Sequence, residues 1–345
     1  MDKVTTLGID LAKAVFSLHA VDGAGRMVFR RTVRRDQLVG VVAGLSPCLI
    51  GMEACSGAHE WGRRFQEFGH TVRLMAPKFV APYRKSGKND GNDAEAICEA
   101  VTRPSMRFVP VKSVEQQALL AMHRVRQGFV VERTATINRL RGLLTEFGVV
   151  LPLRSITVRR QAAVAAEGLP DLARRAIGDL LEQLRILDER IGRYDGEIEA
   201  QAKLCEPAQR LMKIRGIGPT TALAIVATVG NAREFKNGRQ FAAWIGLTPS
   251  QYSTGGKARL GHISKRGDAY LRNLLVQGAL GAQQRRHAPG PHVALDTGAA
   301  AAPRLLPNAR CHRQQERANR LGAARQERNA APRLNTNGFH NCNRR

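Results

Sequence analysis

The chain has 345 residues, enough for two or three domains, and its 54 Lys and Arg against 29 Asp and Glu leave a net charge of +25. So large a positive excess attracts polyanions and predicts a nucleic-acid partner. No apolar run reaches the roughly 18 residues of a membrane span, and the N-terminus has no signal-peptide pattern. The six cysteines form no C-x-x-C pair, so the sequence predicts a cytoplasmic protein with reduced thiols and no zinc ribbon.

The first hundred residues alternate between patterns typical of strands and of helices. Strands are expected at short apolar or alternating runs, and helices at the segments between them. The predicted strands are 4–10, 15–22, 26–33, 48–53 and 71–77, and the predicted helices are 36–44 and 59–69. The order β-β-β-α-β-α-β indicates an α/β domain over residues 1–110.

Two aspartates stand three positions apart in KSGKNDGNDAEAI, where a glycine-containing loop leads into a helix-forming segment. Helix capping explains one of them, since Asp is a preferred N-cap and an acidic first turn suits the helix dipole. Residues three apart lie on one helix face, with Cβ atoms about 5–6 Å apart. Like charges at that separation repel unless a cation lies between them, so the alternative is a Mg²⁺ site at Asp90 and Asp93.

Acidic residues also end two of the predicted strands. Asp10 closes LGID and Glu53 closes IGME. In an open sheet, ligands gather beyond the carboxyl ends of the strands. Two strand-end acids and a helix-borne pair, in a strongly basic chain, favour a nuclease-like site in which Asp10, Glu53, Asp90 and Asp93 bind Mg²⁺. Two such ions about 3.5–4 Å apart stabilise the attacking and leaving oxygens of phosphoryl transfer.

A helical region is predicted over residues 111–204. Ser113 and Gln116 form a capping-box signal for a long helix that runs to about Phe147. Its arginines, which either form a solvated face or contact phosphates, are Arg124, Arg126, Arg133, Arg139 and Arg141. Beyond them, apolar residues recur at alternating spacings of three and four, which is typical of a coiled-coil seam. They are Ile177, Leu180, Leu184, Leu187, Ile191, Tyr194 and Ile198. This seam faces either another chain, in a homodimer or homotetramer, or the preceding helix.

A mostly helical domain is predicted over residues 205–283. The segment GIGPTTA lies between two helical patterns and is typical of a helix-hairpin-helix. Gly216 and Gly218 would let the backbone approach a DNA phosphate closely, and the following helix offers unpaired N–H groups. The alternative is an ordinary helical hairpin, but the positive charge of the chain favours DNA binding.

Five motifs, in this order, resemble those of the IS110-family transposases and in particular the IS1111 branch. They are GIDLAK, GMEACSG, KNDGNDAEA, IRGIGPTTA and FAAWIGLTPSQYSTGGKARLGHISKRGDAYLRNLL, within residues 5–282. The resemblance implies a RuvC-like, RNase H-type first domain with an Asp-Glu-Asp-Asp set, here Asp10, Glu53, Asp90 and Asp93. It also implies a coiled-coil middle region and a C-terminal transposase domain whose serine completes a composite site with the acids. Members of the family resemble DNA recombinases guided by a structured RNA from their own element.

The resemblance places the nucleophile in YSTGGK, because the family has a serine directly before a glycine after its L-x-P motif. An ungapped match puts Thr254 at that position, and a shift of one residue puts Ser253 there. Threonine can act as a nucleophile, although its branched side chain is more hindered. Ser253 is therefore slightly preferred and Thr254 stays open. Nearby basic residues are expected to neutralise DNA phosphates; they are Lys257, Arg259, Lys265 and Arg266.

The composition changes after Gln283. No lysine follows Lys265, and Arg, Ala, Pro and Asn dominate without apolar periodicity, which indicates a disordered basic tail over residues 284–345. One choice of codons for QQERANRLGAARQERNA, read one base forward, encodes NKNARIAWALLAKNA. That peptide is an amphipathic helix and resembles the usual C-terminal segment of the family. We therefore interpret the tail as the product of a frameshift near residues 283–290.

The sequence thus predicts a transposase that cuts and rejoins DNA with Mg²⁺-bound carboxylates and a Ser or Thr nucleophile, guided by an RNA of its element. One alternative is a RuvC-like structure-specific endonuclease, which would hydrolyse DNA with water and never rejoin it. The other is an inactive DNA-binding relic, an interpretation that the altered tail supports.

Overall fold

A computed structural model describes residues 3–85, 90–151, 155–230 and 232–287. The described chain divides into two compact units, the first within residues 1–234 and 274–286 and the second around residues 235–273. From residue 288 onward, the predicted tail lies outside the described residues. None of the described helices combines the length and the hydropathy needed to cross a membrane.

The first unit contains a six-stranded sheet. Its strands are β1 (Thr6–Asp10), β2 (Val15–Val21), β3 (Met27–Arg34), β4 (Leu49–Glu53), β5 (Thr71–Met75) and β6 (Phe108–Val109). The spatial order is β3-β2-β1-β4-β5-β6. The β1–β4 and β4–β5 pairs are parallel and the other pairs are antiparallel. The predicted β-β-β-α-β-α-β order is confirmed element by element, and the fold of this region is mixed α/β.

Four helices accompany the sheet: α1 (Arg35–Ala43), α2 (Ala58–Glu67), α3 (Pro77–Val80) and α4 (Asp90–Val101). A short 3₁₀ turn, Ala81–Tyr83, follows α3. One face of the sheet carries large apolar side chains that bury Trp61 and Phe65 of α2 in a common core. The other face carries glycines at the centre of β1 and β4, and there α4 packs directly on the backbone.

The two faces follow from the alternation of side chains along a strand. In β1, Leu7 and Ile9 are fully buried on the face opposite to Gly8. A Cβ atom at Gly8 would lie 2.2 Å from the carbonyl oxygen of Ala94 in α4. Glycine is therefore required for this close approach, which brings the N-terminal turn of α4 to the carboxyl end of β1.

Three long helices follow: α5 (Val114–Glu146), α6 (Ser155–Glu167) and α7 (Asp171–Leu204). The capping-box prediction is confirmed at the start of α5. The Gln116 backbone N–H donates to Ser113 Oγ at 3.2 Å, and the Ser113 N–H donates to Gln116 Oε1 at 3.0 Å. These bonds satisfy N–H groups that have no partner within the helix.

Helices α5 and α7 pack antiparallel within the chain. The Phe129 and Tyr194 rings lie 5.9 Å apart, and Arg126 forms an ion pair with Asp195. Most residues of the predicted seam are buried in this chain, namely Ile177, Leu184, Leu187, Ile191 and Ile198. Ile177 and Leu184 share a core with Leu140 of α5. The seam thus faces the preceding long helix here, while a coiled coil between chains stays a prediction.

The remaining helices and strands are α8 (Glu206–Met212), α9 (Pro219–Val229), a 3₁₀ turn (Ala232–Glu234), α10 (Gly238–Trp244), β7 (Pro249–Gln251), β8 (Leu260–Ile263) and α11 (Ala269–His287). In the first unit, α8 and α9 bury Ala208, Ala222 and Leu223 against the end of α7. In the second unit, α10 presents Phe241 and Trp244 to Phe235, with ring centroids 5.3–5.5 Å from the Phe235 ring. In the same unit, β7 and β8 form an antiparallel hairpin.

Candidate catalytic carboxylates and serine hairpin

Three aspartates meet where β1 ends and α4 begins. Asp10 is the last residue of β1, and Asp90 and Asp93 lie in the first turn of α4. One carboxylate oxygen of each lies within 4.8 Å of the others, so that a single cation can contact all three. Asp10 follows Gly8 by two positions and therefore lies on the α4 face of the sheet. The close helix–strand approach at Gly8 is what brings these carboxylates together.

The electrostatics of the cluster call for a cation. Burial raises the pKa of Asp10 above its ordinary value, and the negative charges of Asp93 and Asp90 raise it further. The positive charge of Arg84 and a hydrogen bond from the Leu11 backbone oppose that rise. Hard oxygen ligands at this spacing suit Mg²⁺, and an ion would remove the repulsion that the pKa of Asp10 reports. The residues present therefore fit the metal that the sequence predicts.

Glu53 is a neighbour of the three aspartates but does not belong to the cluster that can contact a single ion. It ends β4, next to Asp10, because β1 and β4 run parallel with Ile9 opposite Met52. Burial raises the pKa of Glu53, and the charge of Asp10 raises it further. The structure thus places three of the four predicted acids within reach of one ion, with Glu53 as their neighbour.

Arg84 is a positively charged member of this site that none of the sequence motifs indicates. The Arg84 side chain forms an ion pair with Asp93 and lowers the pKa of both Asp10 and Glu53. It lies in YRKSGKND, six positions before Asp90. This position is a signal for its role, because it puts a guanidinium close in sequence to two acidic residues at a helix start.

The sequence predicts the nucleophile on the hairpin of the second unit. Thr254 and Lys257 form a bridge around Gly255 and Gly256, whose φ angles are +56° and +78°. Two residues with positive φ are the mark of a type I′ turn, whose twist matches that of the flanking strands. The segment YSTGGK is therefore an ordered, exposed hairpin tip.

Ser253 and Thr254 differ in their surroundings on this hairpin. Ser253 Oγ accepts a hydrogen bond from the Gln251 Nε2 amide at 2.7 Å and another from the Arg259 backbone N–H at 3.1 Å. Two donors aimed at a hydroxyl oxygen hold it in place and stabilise negative charge on it. Gln251 is thus a second residue that the sequence analysis missed, although its position two residues before Ser253 puts both on one strand face.

The predicted phosphate-contacting residues are exposed in the second unit. Lys257 and Arg259 flank the hairpin tip, while Lys265 and Arg266 lie in the loop after β8. Lys265 has a φ of +52°, which is uncommon for a residue with a side chain. These four positions present positive charge to solvent, as contact with a polyanion requires.

The two glycines of GIGPTTA have different environments. Gly216 has a φ of +91°, and a Cβ atom there would lie 2.6 Å from the carbonyl oxygen of Gly278 in α11. The packing of α11 therefore explains this glycine without a ligand. Gly218 precedes the first residue of α9 and has open space around the position of a Cβ atom. Only Gly218 leaves its side open to an approaching phosphate, and DNA binding at these two residues stays a prediction.

Two transposase family models match this chain. One, described as Transposase IS116/IS110/IS902 family, matches residues 208–292. The other, a transposase model of the DEDD type of IS110, matches residues 7–149, which include all four predicted acids. The chain belongs to the IS110 transposase family. The family assignment makes it an enzyme of DNA cleavage and rejoining, and it agrees with the resemblance that the motifs indicate.

Individual transposases are similar over most of the chain. A protein of Pseudomonas aeruginosa named "Probable family 20 transposase" is 50% identical over 281 residues, covering 80% of this chain and 83% of that protein. The "Transposase for insertion sequence element IS1111A" of Coxiella burnetii is 44% identical, covering 81% and 78%. The "Transposase for insertion sequence element IS1328" of Yersinia enterocolitica is 43% identical, covering 83% and 86%. These similarities fit the IS1111 branch of the family.

Proposed function

We propose that this transposase breaks and reseals DNA through carboxylates that bind Mg²⁺ and a phosphoserine intermediate at Ser253. The convergence of Asp10, Asp90 and Asp93 carries the proposal, because three carboxylate oxygens within 4.8 Å of one another bring together more negative charge than the neighbouring Arg84 guanidinium offsets. Glu53, beside Asp10, completes the acidic set that the family resemblance implies.

The bound ion would polarise the scissile phosphate and stabilise the oxygen that leaves. Ser253 Oγ forms a bond to phosphorus while the bond from phosphorus to one strand oxygen breaks. The hydroxyl proton passes to a base, and the leaving oxygen takes up a proton. A phosphodiester to serine replaces a phosphodiester to sugar, so a sugar hydroxyl can later attack the adduct and restore a continuous strand without an external energy source.

Ser253 is preferred over Thr254 because of the hydrogen bonds around its oxygen. The Gln251 amide and the Arg259 backbone N–H both donate to Ser253 Oγ. They stabilise the negative charge that this oxygen acquires as its proton leaves before the attack, and again as the oxygen departs from phosphorus when the strand is resealed. A primary hydroxyl is also less hindered than that of threonine.

Trapping a covalent protein–DNA adduct tests this chemistry. The assay uses the full chain in cells that carry the element, with the non-coding flank of the element supplied in trans as a source of the guide RNA. The wild type and Thr254→Ala are expected to form the adduct, and Ser253→Ala to lose it by at least about 10³-fold.

Each other outcome points to a different chemistry. An adduct that survives Ser253→Ala but not Thr254→Ala would assign the attack to Thr254. Cleavage without any adduct would identify a hydrolytic RuvC-like endonuclease. Strand exchange that is unchanged in Asp10→Asn would show that the carboxylates take no part in the mechanism. A chain that binds DNA without cutting it would be the inactive DNA-binding relic.

We also propose that the native C-terminal segment was displaced by a frameshift near residues 283–290. The three relatives named above match 80–83% of this chain and 78–86% of their own length, so part of this chain and part of each relative lie outside the match. Resequencing the gene across these codons tests the proposal. Restoring the frame by one base is expected to produce the segment ARIAWALLAKNA. If no related copy of the gene encodes this segment in an open reading frame, the frameshift is refuted.

A guide RNA and a homo-oligomer, dimer or tetramer, belong to the same proposal. The net charge of +25 supports binding of more nucleic acid than a short DNA site. Adding back the transcript of the flanking DNA is expected to restore excision, and excision that proceeds equally without it would rule out the guide.

A further inference from the structure

Arg84 occupies a central electrostatic position in the carboxylate cluster. It follows the 3₁₀ turn Ala81–Tyr83, and its backbone N–H donates to the Ala81 carbonyl at 3.2 Å, which ties the residue to that turn. Its Nε pairs with Oδ1 of Asp93, whose side chain is only 12% exposed. The same guanidinium acts on Asp10 and Glu53, since its charge lowers the pKa of both. The Arg84 guanidinium therefore offsets the negative charge of three of the four acids.

A guanidinium and a divalent ion compete for the same carboxylates. An Asp93 oxygen that is engaged by Arg84 is less available to a metal, and two cations in one small site repel each other. The side chain of Arg84 is 35% exposed, so it has room to move outward once its charge is no longer required.

We propose that Arg84 is an exchangeable counter-ion of the catalytic carboxylates, paired with Asp93 in the metal-free protein and displaced from it when Mg²⁺ binds. This inference rests on the proposed metal site and adds a residue to it. The exchange keeps the acids from repelling one another before the ion arrives, and it makes Mg²⁺ affinity lower than the carboxylates alone would give.

Mg²⁺ affinity provides the test, measured by calorimetry on the purified full chain without DNA. Arg84→Gln removes the charge and Arg84→Lys retains it. Arg103→Gln is the matched control, because Arg103 pairs with Glu99 on the far end of α4 and its loss changes the net charge equally. Arg84→Gln is expected to bind Mg²⁺ about tenfold more tightly than the wild type, whereas Arg84→Lys and Arg103→Gln bind it nearly as the wild type does.

Thermal unfolding gives a second measurement that a purely structural ion pair would not reproduce. Metal-free Arg84→Gln is expected to unfold at a lower temperature than the wild type, since the acids have lost their counter-ion. Added Mg²⁺ is expected to raise its melting temperature by more than it raises that of the wild type.

Equal or weaker Mg²⁺ binding by Arg84→Gln, relative to Arg103→Gln, would overturn the exchange. So would an Arg84→Gln variant whose melting temperature is lowered by the same amount with and without Mg²⁺. A wild type that binds no Mg²⁺, or binds it equally well after Asp93→Asn, would instead overturn the metal site of the proposed function.

Discussion

The carboxylate cluster and the serine hairpin are held in place by different kinds of interaction. The cluster depends on contacts between distant parts of the sequence, since Asp10 and Asp93 come together only because α4 packs on Gly8. The hairpin depends on contacts within nine residues, from Gln251 to Arg259, and all of these residues are exposed. One half of the proposed chemistry is thus built into a core, and the other is carried by a turn.

The carboxylate cluster and the serine hairpin are therefore expected to respond differently to substitution. Changes in the sheet and α4 alter stability and the geometry of the acids together, because a packed core transmits strain. Changes in the hairpin alter the position of one hydroxyl and leave the global free energy of unfolding almost unchanged.

The largest effect is expected for Gly8→Ala. A Cβ atom there would lie 2.2 Å from the Ala94 carbonyl oxygen and 2.6 Å from the Cys98 backbone nitrogen, and neither backbone atom can move without shifting α4. Chemical unfolding is expected to show that the free energy of unfolding falls by about 3 kcal/mol. Strand exchange should disappear along with Mg²⁺ binding.

Gly40→Ala is the control for that substitution. Gly40 lies inside α1 with nothing within 4 Å of the position of a Cβ atom. It is expected to stabilise the protein by roughly 0.5–1 kcal/mol. If Gly8→Ala were as harmless as Gly40→Ala, the close packing of α4 could not be what positions the acids.

An intermediate effect is expected for Gly256→Ala, confined to the hairpin. Its φ of +78° costs a residue with a Cβ about 1–2 kcal/mol. Adduct formation should fall about tenfold, while the melting temperature falls by no more than about 1–2 °C, because an exposed hairpin can open locally and relieve the strain without unfolding the rest of the unit. Gly256→Asn is the control, since Asn tolerates positive φ, and it should recover most of the adduct. A large drop in melting temperature would show that the hairpin is part of a core.

The smallest effect is expected for the stability of Asp10→Asn in the absence of metal. Burial and neighbouring carboxylates raise the pKa of Asp10, so its ionised form destabilises the fold. Asn should therefore raise the melting temperature by about 2–4 °C at neutral pH. The gain should shrink as the pH falls through the raised pKa toward the ordinary value of 3.8, because the wild-type carboxyl is then protonated in both states.

Differential scanning calorimetry across pH, with EDTA present, measures this effect. Excess Mg²⁺ is expected to reverse its sign, because the wild type then gains a ligand that Asp10→Asn lacks. A variant that is less stable than the wild type under both conditions would mean that Asp10 is a structural residue.

Local sequence patterns determined the elements of this transposase and the identity of its acids. The capping box at Ser113, the heptad of α7 and the strand–turn boundaries all follow from interactions between residues a few positions apart. The motifs GID and GME each place a glycine two residues before an acid. Residues two apart in a strand lie on the same face, so this spacing puts the acid on the face where the glycine lets a helix pack closely.

The contacts between distant segments of the chain are visible only in the folded structure. Packing pairs the α7 seam with α5, places Arg84 on Asp93 and sets Glu53 next to Asp10. The folded structure also gives Ser253 two hydrogen-bond donors and puts Gly278 against Gly216. The physical reason is that periodicity reports which face of an element is apolar, whereas the partner of that face is chosen by packing among segments far apart in sequence.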